Sequence, residues 1–224
     1  MSKVALMSKT ALIVWGGWDG HTPKETGELF RDILLSEGFE VTMSDTLAAY
    51  EDLDALMSLN LIIPMWTMGK ISNEQCSNVS RAVASGVGLA GCHGGMCDSF
   101  RDSTEWQFMT GGQWVAHPGN DGTPYWVNIR SSSNPIVAGI PDFGVSSEQY
   151  YVHVDPSNEV LATTRFPVAD GPYAANGVVD VPVVWTRRWG KGKVFYNSLG
   201  HTYKVFDIPE AKELMRRGML WAAR

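Results

Sequence analysis

Apolar residues come in short runs that alternate with stretches of helical period. Residues 10–15 (TALIVW), 59–66 (LNLIIPMW) and 87–90 (VGLA) are near-continuous apolar runs, the pattern of strands buried on both faces. Residues 39–43 (FEVTM) alternate instead, which predicts a strand nearer an edge. Between the first two strands, Leu29, Phe30, Ile33 and Leu34 mark the apolar stripe of a helix that Gly38 stops. Thr22, Pro23 and Glu25 predict a capping box at its start. A second capped helix is expected over 72–85, with Ser72 and Gln75 as its box and Gly86 as its end. With a short helix before the third strand, the order is β-α-β-α-β-α-β. Such alternation argues for parallel strands joined by right-handed crossovers, hence an α/β fold with helices on both faces.

After this the pattern changes. One or two helical turns are expected over 104–109, then a glycine- and proline-rich loop over 111–119. Strands are predicted at 125–129, 150–154, 160–164 and 181–186, followed by a hairpin turn at 190–193 into 194–199. A helix over 209–222 closes the chain. Residues 1–9 read as a loose leader and 10–224 as a single domain with a strand-rich C-terminal elaboration.

Charge narrows the partners. Eighteen basic against 24 acidic residues give −6, and no basic run offsets it, which argues against nucleic acid or an anionic membrane. No apolar stretch approaches the ~20 residues that span a bilayer. Three cysteines, Cys76, Cys92 and Cys97, make no disulfide framework and suit a reducing compartment, so a cytoplasmic location is expected. The pattern leaves a homo-oligomer open.

Candidate chemistry gathers where the fourth strand breaks into Gly91-Cys92-His93-Gly94-Gly95. A strand, a sharp glycine turn and then a helix, expected after Asp98, is the layout of a nucleophile elbow. Each of the five histidines falls where a predicted element ends or on a late strand. His21, His93 and His201 follow parallel strands and are expected to converge on one crevice, where open α/β sheets bind ligands. Neutral imidazoles with Glu148 suit a divalent metal such as zinc or manganese, or acid–base work without one. Cys92 is an alternative nucleophile, or a small buried residue filling space beside the turn. Asp98 and Arg101 either orient histidine and substrate hydroxyls or form a cap and a surface pair. Trp66, like Trp15 and Trp18, either stacks on a sugar ring or packs in the core.

Taken together, Gly91-Cys92-His93-Gly94-Gly95, Gly111-Gly112, His117-Pro118, Glu148-Gln149-Tyr150, Val184-Trp185-Thr186, the run from Gly190 to Tyr196, and Leu199-Gly200-His201-Thr202 resemble the trehalose-utilisation (ThuA-like) family. The resemblance spans about residues 10–223. It implies a flavodoxin-like fold of the class I glutamine amidotransferase type and a role in catabolism of trehalose and related disaccharides through 3-keto sugars. Amidotransferase-like relatives place a cysteine at this elbow, whereas in the trehalose-utilisation family the histidine is the characteristic residue. The expectation is therefore an enzyme acting on a keto-sugar or 3-keto-glycoside, with a small carbohydrate as partner. His93, Glu148 and Asp98 are its expected catalytic residues, and His21, Trp66, Arg101, His117 and His201 its substrate contacts. A Cys92 hydrolase and a non-catalytic sugar-binding protein are the alternatives.

Overall fold

A computed structural model of the chain describes residues 8–130 and 133–224. The first seven residues of the expected leader lie outside them, and Lys9 already belongs to a strand. The first half comprises β1 (Lys9–Gly17), α1 (Pro23–Ser36), β2 (Phe39–Ser44), α2 (Leu53–Ser58), β3 (Leu61–Thr67), α3 (Asn73–Ser85), β4 (Gly88–Cys92), α4 (Gly94–Cys97) and α5 (Thr104–Thr110). The second comprises β5 (Gly112–Ala116), β6 (Thr123–Ile129), β7 (Phe143–Ser147), β8 (Tyr151–Val154), β9 (Glu159–Phe166), β10 (Val179–Trp189), β11 (Gly192–Asn197) and α6 (Pro209–Ala222).

Nine strands make one sheet in the order β2-β1-β3-β4-β11-β10-β9-β6-β7, and β5 pairs with β8 apart from it. The first five are parallel, with β2 at the edge. From β11 onward the pairs are antiparallel, so the strand-rich elaboration extends the same sheet. Side-chain alternation sets the layers. Ile13, Ile63, Ala90 and Phe195 face α1 and α6, meeting Phe30, Leu34, Leu214 and Met215. Their neighbours Val14, Ile62, Leu89 and Val194 face the other way, onto Val79 and Val83 of α3. This is the expected α/β architecture, with helices on both faces. Among the described residues, no helix is long and apolar enough to cross a membrane.

Local details divide. The Ser72–Gln75 capping box forms as its spacing predicts. The Thr22 box does not. Thr22 leaves a tight turn at Asp19–His21 with φ of 46°, and its hydroxyl accepts a hydrogen bond from the Tyr203 backbone instead. The elbow helix, expected after Asp98, begins at Gly94 and ends at Cys97, because the backbone turns at His93 itself. Two strands escape the pattern. β5 lies in the segment read as a loop, and β7 alternates buried and exposed but has only Phe143 and Val145 as large apolar signals.

Gly218, inside α6, shows how tightly this helix sits. Alanine normally stabilises a helix interior by ~1 kcal/mol over glycine. Here a Cβ would lie 2.2 Å from the Phe195 ring, so overpacking decides the sign. Gly218→Ala is expected to destabilise the fold by ~1–3 kcal/mol, read as a lower urea midpoint. On the same helix, hydrogen bonds from Arg216 and Arg217 outweigh partial burial and hold the Glu213 carboxyl down at about 2. A depressed folded-state pKa contributes stability above the ordinary value of 4.5, and that contribution is lost as pH falls. The stability gap between wild type and Glu213→Gln, at most ~1 kcal/mol for a surface cluster, should therefore close between pH 4.5 and about 2 in urea titrations.

Candidate active site

Loops at the carboxyl ends of the parallel strands deliver the histidines. After β1, Gly17 crosses so close to β3 that a Cβ there would lie 2.0 Å from the Thr67 carbonyl oxygen. The turn that follows places His21 with Nδ1 2.8 Å from Thr67 Oγ1 and Nε2 free to face inward. After β4, His93 adopts φ 46° and ψ −140°, a conformation costing ~1–3 kcal/mol that functional turns retain. Its ring donates from Nδ1 to the Ser198 carbonyl at 2.8 Å, and Tyr150 stacks on it with ring centroids 3.8 Å apart. Gly94 is obligatory beside it, since a Cβ would sit 2.5 Å from the His21 ring. After β11, Gly200 turns the chain so that His201 enters the same space.

The antiparallel half supplies the charge. Glu148 follows β7, is buried, and receives Tyr125 Oη on its backbone carbonyl. Its Oε2 lies 3.1 Å from His93 Nε2, 3.2 Å from His201 Nδ1 and 3.8 Å from His21 Nε2. Its Oε1 lies 3.8 Å from His117 Nε2. Burial alone would raise this carboxyl, but the imidazoles of His201, His21 and His93 gathered around it outweigh burial and hold the group well below the usual carboxylate range. Burial dominates at His93 and pushes it down to about 4, so the ring is neutral at neutral pH. At His201 burial lowers the affinity for a proton, but Glu148 more than compensates and the pKa rises.

The carboxylate and two of its histidines line a pocket of about 210 Å³ walled by Trp18, Met68, Trp114 and Tyr150. Asp98 and Arg101 form its rim. Asp98 is buried and takes the Arg101 guanidinium in a fork of 2.6 and 2.9 Å, which lays it 4.6 Å over the Trp114 ring. The structure thus brings together His21, His93, His117, His201, Glu148, Asp98 and Arg101. Trp66 is not among them. Its ring fills a slot between Gly16 and Gly69, and Trp18 and Trp114 provide the aromatic walls instead. His153 lies exposed on β8, away from the cluster. Sequence reasoning missed Tyr150 and Trp114 as walls and Thr67 and Ser198 as supports. Ring stacking and a backbone carbonyl leave no mark in sequence, although Tyr150 stands two residues after Glu148.

Cys92 sits on the last residue of β4, one position before the strained turn. Its thiol is fully buried, 3.9 Å from Met65 Sδ, and desolvation pushes its pKa far above the usual range. A reactive thiolate needs the opposite surroundings.

With this geometry in view, comparison with known proteins is decisive about ancestry. A family profile described as trehalose utilisation (ThuA) matches residues 10–222. The chain belongs to the ThuA family. No curated protein matches it. Among solved structures, a ThuA-like protein of Bacteroides uniformis ATCC 8492 superposes with a TM-score of 0.74 at 19% identity, covering 98% of this chain and 93% of that one. A cytoplasmic protein of Salmonella typhimurium LT2 gives 0.65 at 10% identity, with 96% and 100% covered. A β-galactosidase of Bacillus circulans gives 0.58 at 15% identity, covering 92% of this chain but 31% of that one. At these identities the likeness is one of fold.

Burial of all three cysteines makes a chemical prediction for this ThuA-family chain. Brief iodoacetamide treatment of the native protein should leave Cys92 and Cys97 unmodified, whereas denatured protein should take up label at every cysteine. Intact-mass spectrometry reads the difference, and rapid native labelling of Cys92 would contradict the buried geometry.

Proposed function

We propose that the protein is a cytoplasmic enzyme of sugar metabolism that acts on a keto-sugar or 3-keto-glycoside by proton transfer next to the carbonyl. The observation that carries this reading is the buried Glu148 carboxylate ringed by histidines at the floor of an aromatic pocket. A keto group acidifies its neighbouring C–H bonds, and a carboxylate–imidazole pair suits removing and returning such a proton. The same step begins isomerisation, epimerisation or cleavage of a 3-keto-glycoside. Glu148 and His93 move the proton, while His21, His117 and His201 hold hydroxyls or the carbonyl oxygen. Asp98 acts as a positioning residue, holding Arg101 flat on Trp114 at the pocket rim. Trp18, Trp114 and Tyr150 give apolar faces for a sugar ring. The pocket is smaller than the ~300–1,000 Å³ usual for drug-sized ligands, which favours one sugar ring at the reacting position. The family description, trehalose utilisation, supports the substrate class.

A Cys92 hydrolase is disfavoured by the burial of its thiol. A non-catalytic sugar-binding protein would use the same pocket and would bind without turnover. Incubation with 3-keto-trehalose in deuterated water, followed by proton NMR, separates these readings. Exchange or conversion at carbons flanking the keto group is expected, and Glu148→Gln should slow it by ~10²–10⁴-fold. Keto-glycosides left unchanged by the wild type, with and without added divalent metal, would overturn the proposal.

A further inference from the structure

We infer that His21, His93, His201 and Glu148 form a binding site for one divalent transition-metal ion of the zinc type. The site shares its pocket with the proposed sugar chemistry but does not depend on which substrate enters. Each of the four residues offers one ligand atom, and all four atoms lie within 4.8 Å of one another. The separations from Glu148 Oε2 run from 3.1 to 3.8 Å. Bonds of ~2.0–2.1 Å at tetrahedral angles put neighbouring ligand atoms ~3.3 Å apart, so an ion would draw the rings together from separations of up to 4.8 Å.

The orientation of each ring points to a cation more firmly than spacing does. His93 Nδ1 faces a backbone carbonyl, which can only accept, so Nδ1 carries the proton. In the neutral ring Nε2 is then a bare lone pair, 3.1 Å from Glu148 Oε2, a second acceptor. A proton or a metal ion between these atoms would satisfy both, and the convergence of two further imidazoles on the same oxygen, one of them without an aligned hydrogen-bond partner, favours the ion. At His21, Nδ1 is engaged by Thr67 Oγ1, a hydroxyl that can donate or accept, and Nε2 is turned to the same oxygen. His201, about nine-tenths buried, aims an Nδ1 without an aligned hydrogen-bond partner at that oxygen, while its Nε2 lies 3.9 Å from Asp121 Oδ2. A ligating histidine held through its other nitrogen by a carbonyl, hydroxyl or carboxylate is the usual supporting arrangement around a metal. With an ion bound, His93 would give up its proton-moving role to become a ligand, Glu148 Oε1 and the His117 ring would move protons in its place, and the ion would polarise a substrate carbonyl as a Lewis acid.

Untagged protein, stripped with a chelator and dialysed, would be titrated with zinc ions by calorimetry and with cobalt(II) by visible absorption. One ion per chain and a tetrahedral-type cobalt spectrum are expected. His201→Ala and His21→Ala should each weaken zinc binding by more than the ~10–100-fold typical of losing a supporting partner. The exposed His153→Ala should bind as wild type does. Circular dichroism identifies any variant that has lost its fold, and the wild-type cobalt spectrum needs no variant. Failure of the wild type to bind either ion stoichiometrically would overturn the inference, as would wild-type affinity in His201→Ala. Zinc binding with keto-glycosides left unchanged would sink the sugar proposal alone. Keto-glycoside turnover by protein that binds no metal would sink the metal site alone.

Discussion

A negative charge withdrawn from water governs this molecule. Burying an unpaired carboxylate is prohibitive, so Glu148 is tenable only where several polar groups converge on it. Here the groups are imidazoles, and each needs its own support to hold position. Thr67 steadies His21, while Ser198 and Tyr150 steady His93. Those supports stand at the ends of β3, on the chain leaving β11 and just before β8. The register of β4 against β11, with Asn197 opposite Cys92, fixes how far apart the rings can lie. Where the chains pass closest, at Gly17 and Gly94, there is no room for a Cβ.

The parallel half was legible because its strands are buried on both faces and its helices carry local start and stop signals. Those signals act over a few residues, so Ser72 and Gln75 could be paired from spacing alone. Thr22 fails the same reading because a distant contact, the Tyr203 backbone, competes for its hydroxyl. β7 is hidden for another reason. Its outward positions are Gly144 and Ser146, and its pairing with β6 is decided by tertiary packing. The gathering of His21, His93 and His201 was readable from topology, since all three follow parallel strands. The contact between His93 and Glu148, 55 residues apart and across a change of strand direction, has no local signature. Trp66 also shows the limit of position. It lies at the correct end of its strand, yet its ring goes into the slot left by Gly16 and Gly69.

The elbow illustrates how one residue of offset changes the chemistry a turn presents. In a strand that continues through Cys92, the side chain there points into the α1 and α6 layer and joins the core. The next residue takes the strained backbone angles and sets its ring against Glu148 and Tyr150 behind the pocket wall. A motif of small residues around a cysteine and a histidine is compatible with either arrangement. Only the point at which the backbone leaves the sheet distinguishes them.

Sheet order has a consequence for how this pocket comes into being. β11 is the penultimate large element in the chain, yet it lies between β4 and β10 and joins the two halves of the sheet. A ribosome makes Glu148 and three of its histidine neighbours well before it makes His201. Until β11 inserts, the carboxylate lacks one imidazole, and His93 lacks the Ser198 carbonyl that orients it. The chemical centre is therefore a late product of folding, completed by a long-range contact when the last strand closes the sheet.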